Sequence, residues 1–197
     1  MSAARLALDG LLGDTRAFVC RVATAVQARG IQAGLYEMDH ICYRCGTGEE
    51  YSSVCTALAS PPLSAALLIE SPIGGRLIST YQLREPLEVD CPGVGSFRVS
   101  CIEVPAPKAG RAYASGLEHA ELVVGAAGDS AFGAEGLRAW RSKFPGVEFD
   151  ERALGKELNA DLSLTLGDGT LPPRTFTPSA RGSYPRPRHP QTLNPKP

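Results

Sequence analysis

The sequence has little histidine, no second thiolate pair and no long apolar run. His40, His119 and His189 are the only three histidines in 197 residues, so any imidazole site must draw on most of them. Cys42 and Cys45 make one C-x-x-C, and no second copy exists to complete a zinc ribbon. No stretch approaches the roughly 20 apolar residues that span a bilayer, which excludes a membrane helix. Acids are absent from Leu171 to the C-terminus, where Arg174, Arg181, Arg186, Arg188 and Lys196 leave the rest of the chain at −6 against an overall −1. An acidic body argues against nucleic acid as a partner. The six cysteines (20, 42, 45, 55, 91 and 101) are too scattered for a disulfide scaffold. The opening "MSAARLALDGLLGDTR" has too short an apolar run for a secretory signal. Together these features suggest a soluble protein of the reducing cytoplasm.

What remains is organised. Asp14 caps a predicted helix over 14–30, with Phe18, Val19, Val22 and Val26 at helical spacing and Gly30 at its end. A strand "DHICYRC" follows, then a helix whose Thr47 and Glu50 are spaced as a capping box. "LSAALLIES", "GGRLISTYQL" and "GSFRVSCIEVP" alternate with period two between glycine turns. Module one, residues 36–105, is therefore β-α-β-β-β. Over residues 115–177 the order recurs: a strand in "GLEHAELVVG", a helix in "DSAFGAEGLRAWRSKF" capped by Asp129, a short strand "GVEFDE" and a strand in "DLSLTLGDGT". Pro172 and Pro173 would damage any central strand beyond. Half of the chain's 16 prolines lie after Gly167, which predicts a disordered basic tail over 178–197 behind a single domain, 1–177.

Strand alternation assigns faces. His40, Cys42 and Arg44 share one side of their strand, and Cys45 falls on the other, so a thiolate knuckle is disfavoured against two small buried side chains. Glu103 ends an otherwise apolar face, and His119 and Glu121 share the polar face of theirs. If the modules meet along a pseudo-twofold, His40, Glu103 and His119 converge, and two imidazoles with a carboxylate suit a divalent first-row metal. Each alone has a duller reading, as a hydrogen-bonded strand histidine or a rim glutamate.

The segments "DHICYRC", "GGRLISTYQLREPLEV", "FRVSCIEVPAP", "YASGLEHAELVV" and "LNADLSLTLGDGT" resemble, in order and spacing over roughly residues 10–170, the YecM protein family. That family sits in the vicinal oxygen chelate superfamily with glyoxalase I, extradiol dioxygenases and bleomycin-resistance proteins. The resemblance implies an α+β fold of paired βαβββ modules in an open, cupped, mixed sheet. It implies a divalent metal (Zn, Ni, Mn or Fe) held by His40, Glu103 and His119. Where related chains carry F-H-P on the last strand, this one has Phe176-Thr177-Pro178, so a fourth imidazole is missing.

These readings lead to a metal-binding protein acting on a small oxygenated metabolite as an isomerase, lyase or oxidoreductase. Glu121 is the candidate base or support for the metal site. Arg44 is the candidate contact to a substrate carboxylate, unless it pairs with Glu121 across the sheet. The alternative is a non-catalytic small-molecule binder, or a chain that has lost its metal site. The expected partner is a small ligand, with the chain a monomer or homodimer.

Overall fold

The computed structural model describes residues 2–125, 133–155 and 160–167, and the backbone of 174–179. Two helices open the chain. The first, α1 (Ala3–Leu12), is capped by Ser2, whose side chain accepts from the Arg5 amide, and it ends at Gly13. Sequence periodicity missed this helix because Asp9 and Gly10 weaken its propensity. Tertiary contacts supply what propensity lacks. Leu8 and Leu12 are buried, and Asp9 accepts from Arg5 Nε (2.8 Å), Thr15 Oγ1 (2.7 Å) and the Thr15 amide (3.2 Å). The second, α2 (Thr15–Gln27), has the expected Asp14 cap and buries Phe18, Val19, Val22, Ala23 and Val26.

Then come β1 (Glu37–Arg44), α3 (Gly48–Ala59), β2 (Ala66–Ile73), β3 (Arg76–Cys91) and β4 (Gly95–Pro105). The β2–β3 hairpin turns on Gly74 and Gly75, both at positive φ (58° and 81°), the two-residue geometry that matches strand twist and that glycine adopts freely. The second half supplies β5 (Gly116–Val123), α4 (Gly133–Arg141), β6 (Leu164–Leu166) and β7 (Arg174–Ser179). All seven strands form one sheet in the order β2-β3-β4-β1-β5-β7-β6.

This order is a duplication. In module one, β1 runs parallel to β4, and β4 is antiparallel to β3. In module two, β5 runs parallel to β7, and β7 is antiparallel to β6. The first strands of the two modules pair antiparallel at the centre, which is a pseudo-twofold. The sheet is thus the α+β architecture that the resemblance implied.

Two sequence expectations change. "GVEFDE" forms a single bridge, Asp150 to Ser163, where a strand was expected; its edge carries Gly146 and charges with little apolar alternation to bury. The prolines do not abolish the last strand: β7 begins at Arg174 and runs to Ser179, past the expected boundary at 177. The helix after β5 is described only from Gly133, so Asp129 and the tail 180–197 lie outside the described residues.

The core lies on one face of the sheet, under α1, α2 and α3, and includes Ile41, Cys45, Tyr81, Ile102, Ala120 and Leu122. Leu137 and Trp140 of α4 join it, with Trp140 Nε1 donating to Tyr36 Oη at 3.0 Å. Cys20 of α2 and Cys91 at the end of β3 form a disulfide, a single staple and not a scaffold. Cys42, Ile78 and Cys101 are buried but stand apart from this core. They mark the opposite face, where the candidate site is built.

Glu50, in the first turn of α3, ties the loop after β1 to the loop before β5. It accepts from Tyr43 Oη (2.9 Å), the Gly46 amide (2.7 Å) and Ser115 Oγ (2.5 Å). Partial burial opposes its ionisation, but the donors from Ser115, Gly46 and Tyr43 outweigh it and hold the carboxyl below its ordinary value of 4.5. A depressed folded pKa contributes stability above the unfolded value and loses it as pH falls toward the folded one. Glu50→Gln should therefore destabilise the protein by about 1 kcal/mol at pH 7, a figure reduced for solvent screening. The gap from the wild type should narrow below about pH 4.5. Urea unfolding at pH 7 and pH 4 checks both; an unchanged gap would mean the carboxylate charge is not what holds these loops.

Candidate metal centre

Register decides which side chains meet. Along β1 and β5, His40 faces Glu121 and Cys42 faces His119. Along β1 and β4, His40 faces Cys101 and Cys42 faces Glu103. Strict alternation would turn Asp39 and Glu118 away from their neighbouring histidines. The ladder breaks at both places: between Met38 and His40 on one strand, and opposite Cys42 and Tyr43 on the other, where Leu117 follows His119 as the next partner. An extra residue in a strand re-aims its side chain. Met38 and Ile41 remain in the core with Asp39 and His40 between them, and Leu117 and Ala120 likewise bracket Glu118 and His119. The acid and the histidine thus emerge together on the site face, once in each module.

The consequence is a matched pair. Asp39 Oδ2 lies 2.9 Å from His40 Nδ1, and Glu118 Oε2 lies 3.5 Å from His119 Nδ1. Both Nε2 atoms then face Glu103, at 3.8 Å from its Oε2 (His40) and 3.8 Å from its Oε1 (His119). The ring centroids are 5.7 Å apart at 76°. The donor atoms of His40, Glu103 and His119 all lie within 4.8 Å of one another. Two bonds of about 2.1 Å reach at most about 4.2 Å between donors, so the 3.8 Å separations fit one ion and the widest pair closes by small side-chain rotation.

The electrostatics favour a cation here. Burial alone would lower the His40 pKa, but Glu121, the Asp39 hydrogen bond and Glu103 reverse this and raise it to about 9. Glu121 is 6% exposed and forms a second cluster with Asp39 and His40. Burial opposes ionisation of Glu118 too, yet His119 and Arg44 hold it down to about 2. Arg44 is its bidentate partner, through Nε and Nη2, and stacks over Tyr113 at 4.8 Å. Arg44 therefore pairs with Glu118, where its face had suggested an ion pair with Glu121 or a contact to substrate. The bulge that carries Glu118 onto that face supplies a nearer carboxylate.

Cys42 and Cys45 separate as strand alternation requires. Cys42 lies on the site face with Sγ 3.9 Å from Glu118 Oε2, and Cys45 is in the core. Cys42, Glu118 and His119 are close enough to make another ligand set. Burial and the charges of Glu103 and Glu118 push the Cys42 thiol well above its usual range, and Arg44 already holds Glu118.

Sequence reasoning missed Asp39 and Glu118. The signal was present, as an acid directly before the histidine in "DH" and "EH" at the same place in both modules.

The model of the YecM protein family matches residues 7–139. The chain belongs to that family. Comparison with curated proteins returns no match. Among solved structures, a structural-genomics target titled Protein EC4020 superposes with TM-score 0.63 and 22% identity, over 91% of each chain; that likeness shows the fold. A hypothetical protein BH1468 from Bacillus halodurans C-125 gives TM-score 0.43 and 13% identity, over 73% of this chain and 93% of that one. A methylmalonyl-CoA epimerase in complex with methylmalonyl-CoA and NH4+ gives 0.44 and 15%, over 76% and 99%. Among the described residues of this YecM-family chain, no helix is long and apolar enough to cross a membrane.

The pseudo-twofold places His40 on His119 and Cys42 on Glu121. Cys42 is the register partner of Glu103 on β4, and Glu121 is the partner of Thr177 on β7. Thr177 therefore occupies module two's counterpart of Glu103.

Buried, proton-holding thiols should resist alkylation in the folded protein. Burial first, then Glu50, pushes Cys45 up to about 12. Iodoacetamide at pH 8 followed by peptide mapping should leave Cys42 and Cys45 unmodified until denaturant is added. Labelling of Cys42 in the native state would show that the floor of the site is open and its thiol activated.

Proposed function

We propose that this chain is a divalent-metal-binding protein whose open sheet face holds the ion on His40, Glu103 and His119 and receives a small oxygenated ligand beside it. The observation that carries this reading is the paired orientation of the histidines. A proton on Nδ1, directed to Asp39 or Glu118, leaves the lone pair on Nε2, and both Nε2 atoms face Glu103. Fixing the tautomer by a carboxylate behind the ring is how metal-binding histidines are commonly held. When bound, the cation would draw ligand oxygens and stabilise negative charge developing on them.

The remaining residues act around that point. Arg44 holds Glu118, and Glu118 orients His119. Cys42, Cys101 and Ile78 give the face a small apolar floor. Glu121 sits next to His40 across β1 and β5 and is the carboxylate placed to take a proton from a ligand held there. Proton abstraction next to a metal-polarised oxygen would be isomerase or lyase chemistry.

The test is metal titration of full-length protein stripped with chelator. Wild-type protein should take one Zn2+ or Ni2+ per chain by calorimetry. His40→Ala, His119→Ala and Glu103→Gln should each weaken binding by at least about 100-fold, and Asp39→Asn by about 10- to 100-fold. Cys42→Ser should leave the stoichiometry unchanged. Stoichiometric binding that survives His40→Ala combined with His119→Ala would dismiss this site.

A further inference from the structure

Arg76 begins β3 immediately after the Gly74–Gly75 turn and pairs with Ile73. No register break interrupts β3 from Arg76 to Thr80 on its β2 side, and on its β4 side Thr80 faces Glu103. Residues 76, 78 and 80 therefore share the face that carries Glu103, and buried Ile78 on that face confirms the direction. The Nε and Nη1 atoms of Arg76 are buried, and among the described residues nothing accepts a hydrogen bond from either. The guanidinium is close enough to the floor for its charge to act on Cys42. Lys108 Nζ lies 3.4 Å from where a Cβ on Gly74 would stand, adding a second cation at the same turn. The other two cations of this face have carboxylate partners: Arg44 has Glu118, and His40 has Asp39. A half-buried guanidinium with two buried, idle donors is costly unless an anion fills the place.

We propose that Arg76 is the anion-binding residue of the site, receiving the carboxylate of a small organic acid whose other oxygens face the metal position. This inference rests on the proposed function and names its ligand class. A guanidinium edge matches a carboxylate in two parallel hydrogen bonds. The rest of the face argues against a phosphate dianion, because Asp39, Glu103 and Glu121 line it with negative charge. Arg76 and Thr80 are four residues apart, about 13 Å along the strand, and the arginine side chain covers part of that distance. The ligand therefore carries its carboxylate a short aliphatic stretch away from its metal-facing oxygens. Ile69, partner of Thr80, and Ile73, partner of Arg76, are 47% and 55% exposed on the same face and give that stretch an apolar rail.

The experiment uses full-length protein, chelator-stripped and then with or without Zn2+, and measures binding by calorimetry. The probes are 2-oxoglutarate, 2-oxopentanoate (a methyl in place of the distal carboxylate) and inorganic phosphate. In the Zn2+-loaded wild type, 2-oxoglutarate should bind at least about tenfold more tightly than 2-oxopentanoate, and Arg76→Met should abolish that preference. Arg76→Lys should restore part of it, having the charge without the fork. Arg76→Met should also melt at the same temperature as the wild type or higher, since it removes an unpaired buried charge. A lower melting temperature with unchanged 2-oxoglutarate affinity would make Arg76 structural and overturn the proposal. So would equal binding of the two acids, no binding of either, or Arg76-dependent binding of phosphate alone. The two readings fail separately. If Zn2+ does not bind but 2-oxoglutarate still binds through Arg76, the metal centre falls and the anion site stands; if Zn2+ binds and the acid ignores Arg76, only the anion site falls.

Discussion

The antiparallel pairing of β1 with β5, interrupted by one extra residue on each strand, is the constraint on which the rest of the site depends. His40 and His119 are distant in sequence and reach each other only because this pairing places Cys42 opposite His119 and His40 opposite Glu121. A slip of one residue would carry both histidines into the core and Ile41 and Ala120 into solvent. The core side resists this with Met38, Ile41, Ile102, Ala120 and Leu122, all at most 2% exposed. Within that register the breaks at Asp39 and Glu118 do the chemical work. They spend one residue per strand to put a carboxylate behind each imidazole, which unbroken alternation would have sent to the other face.

The charge arrangement makes sense only as a whole. Asp39, Glu103, Glu118 and Glu121 surround two histidines on one face, and Arg44 compensates only Glu118. His40 feels this surplus: its acid neighbours raise its pKa to about 9 against the desolvation that would discharge the ring. Concentrating negative charge in a partly buried place costs stability. Under the proposed function this face is a cation position, with Arg76 as a separate anion position further along the sheet.

The sequence carried the fold further than the site. Period-two runs and glycine turns located β1 to β5, and the order of elements gave the duplication. Alternation put His40, Glu103, His119 and Glu121 on the proper faces. It went wrong where physics other than periodicity decided. The helix Ala3–Leu12 forms because Asp9 and two leucines find partners in α2 and the core. The expected edge strand near Asp150 dwindles to one bridge because little apolar surface there needs burying. Arg44 was the conspicuous cation of the sequence because it shares a strand with His40. Strand membership gives a face, not a partner, and a bulge on the neighbouring strand took Arg44 up. Arg76, hidden in "GGRLIS", had no such claimant, and only the three-dimensional count of donors and acceptors reveals it.

Duplication also explains why the two halves now differ. The twofold makes His40 and His119 equivalents, each with its own preceding acid, so the imidazole half of the site needs only the shared module. The last strands break the symmetry. Module one presents Glu103 at its position on β4, and module two presents Thr177 on β7, a hydroxyl that binds divalent metals far less readily than a carboxylate or imidazole. In the proposed site, three strong donors in place of four would leave more of an ion's coordination sphere to solvent or ligand. Module one also has the long β3 and its hairpin with β2, which bring Arg76, Ile69 and Ile73 to the face, while among the described residues the matching edge of module two is the Asp150–Ser163 bridge. In the proposed function the symmetric part of the architecture would thus hold the ion, and the difference between the halves would set which ligand lies beside it and from which side.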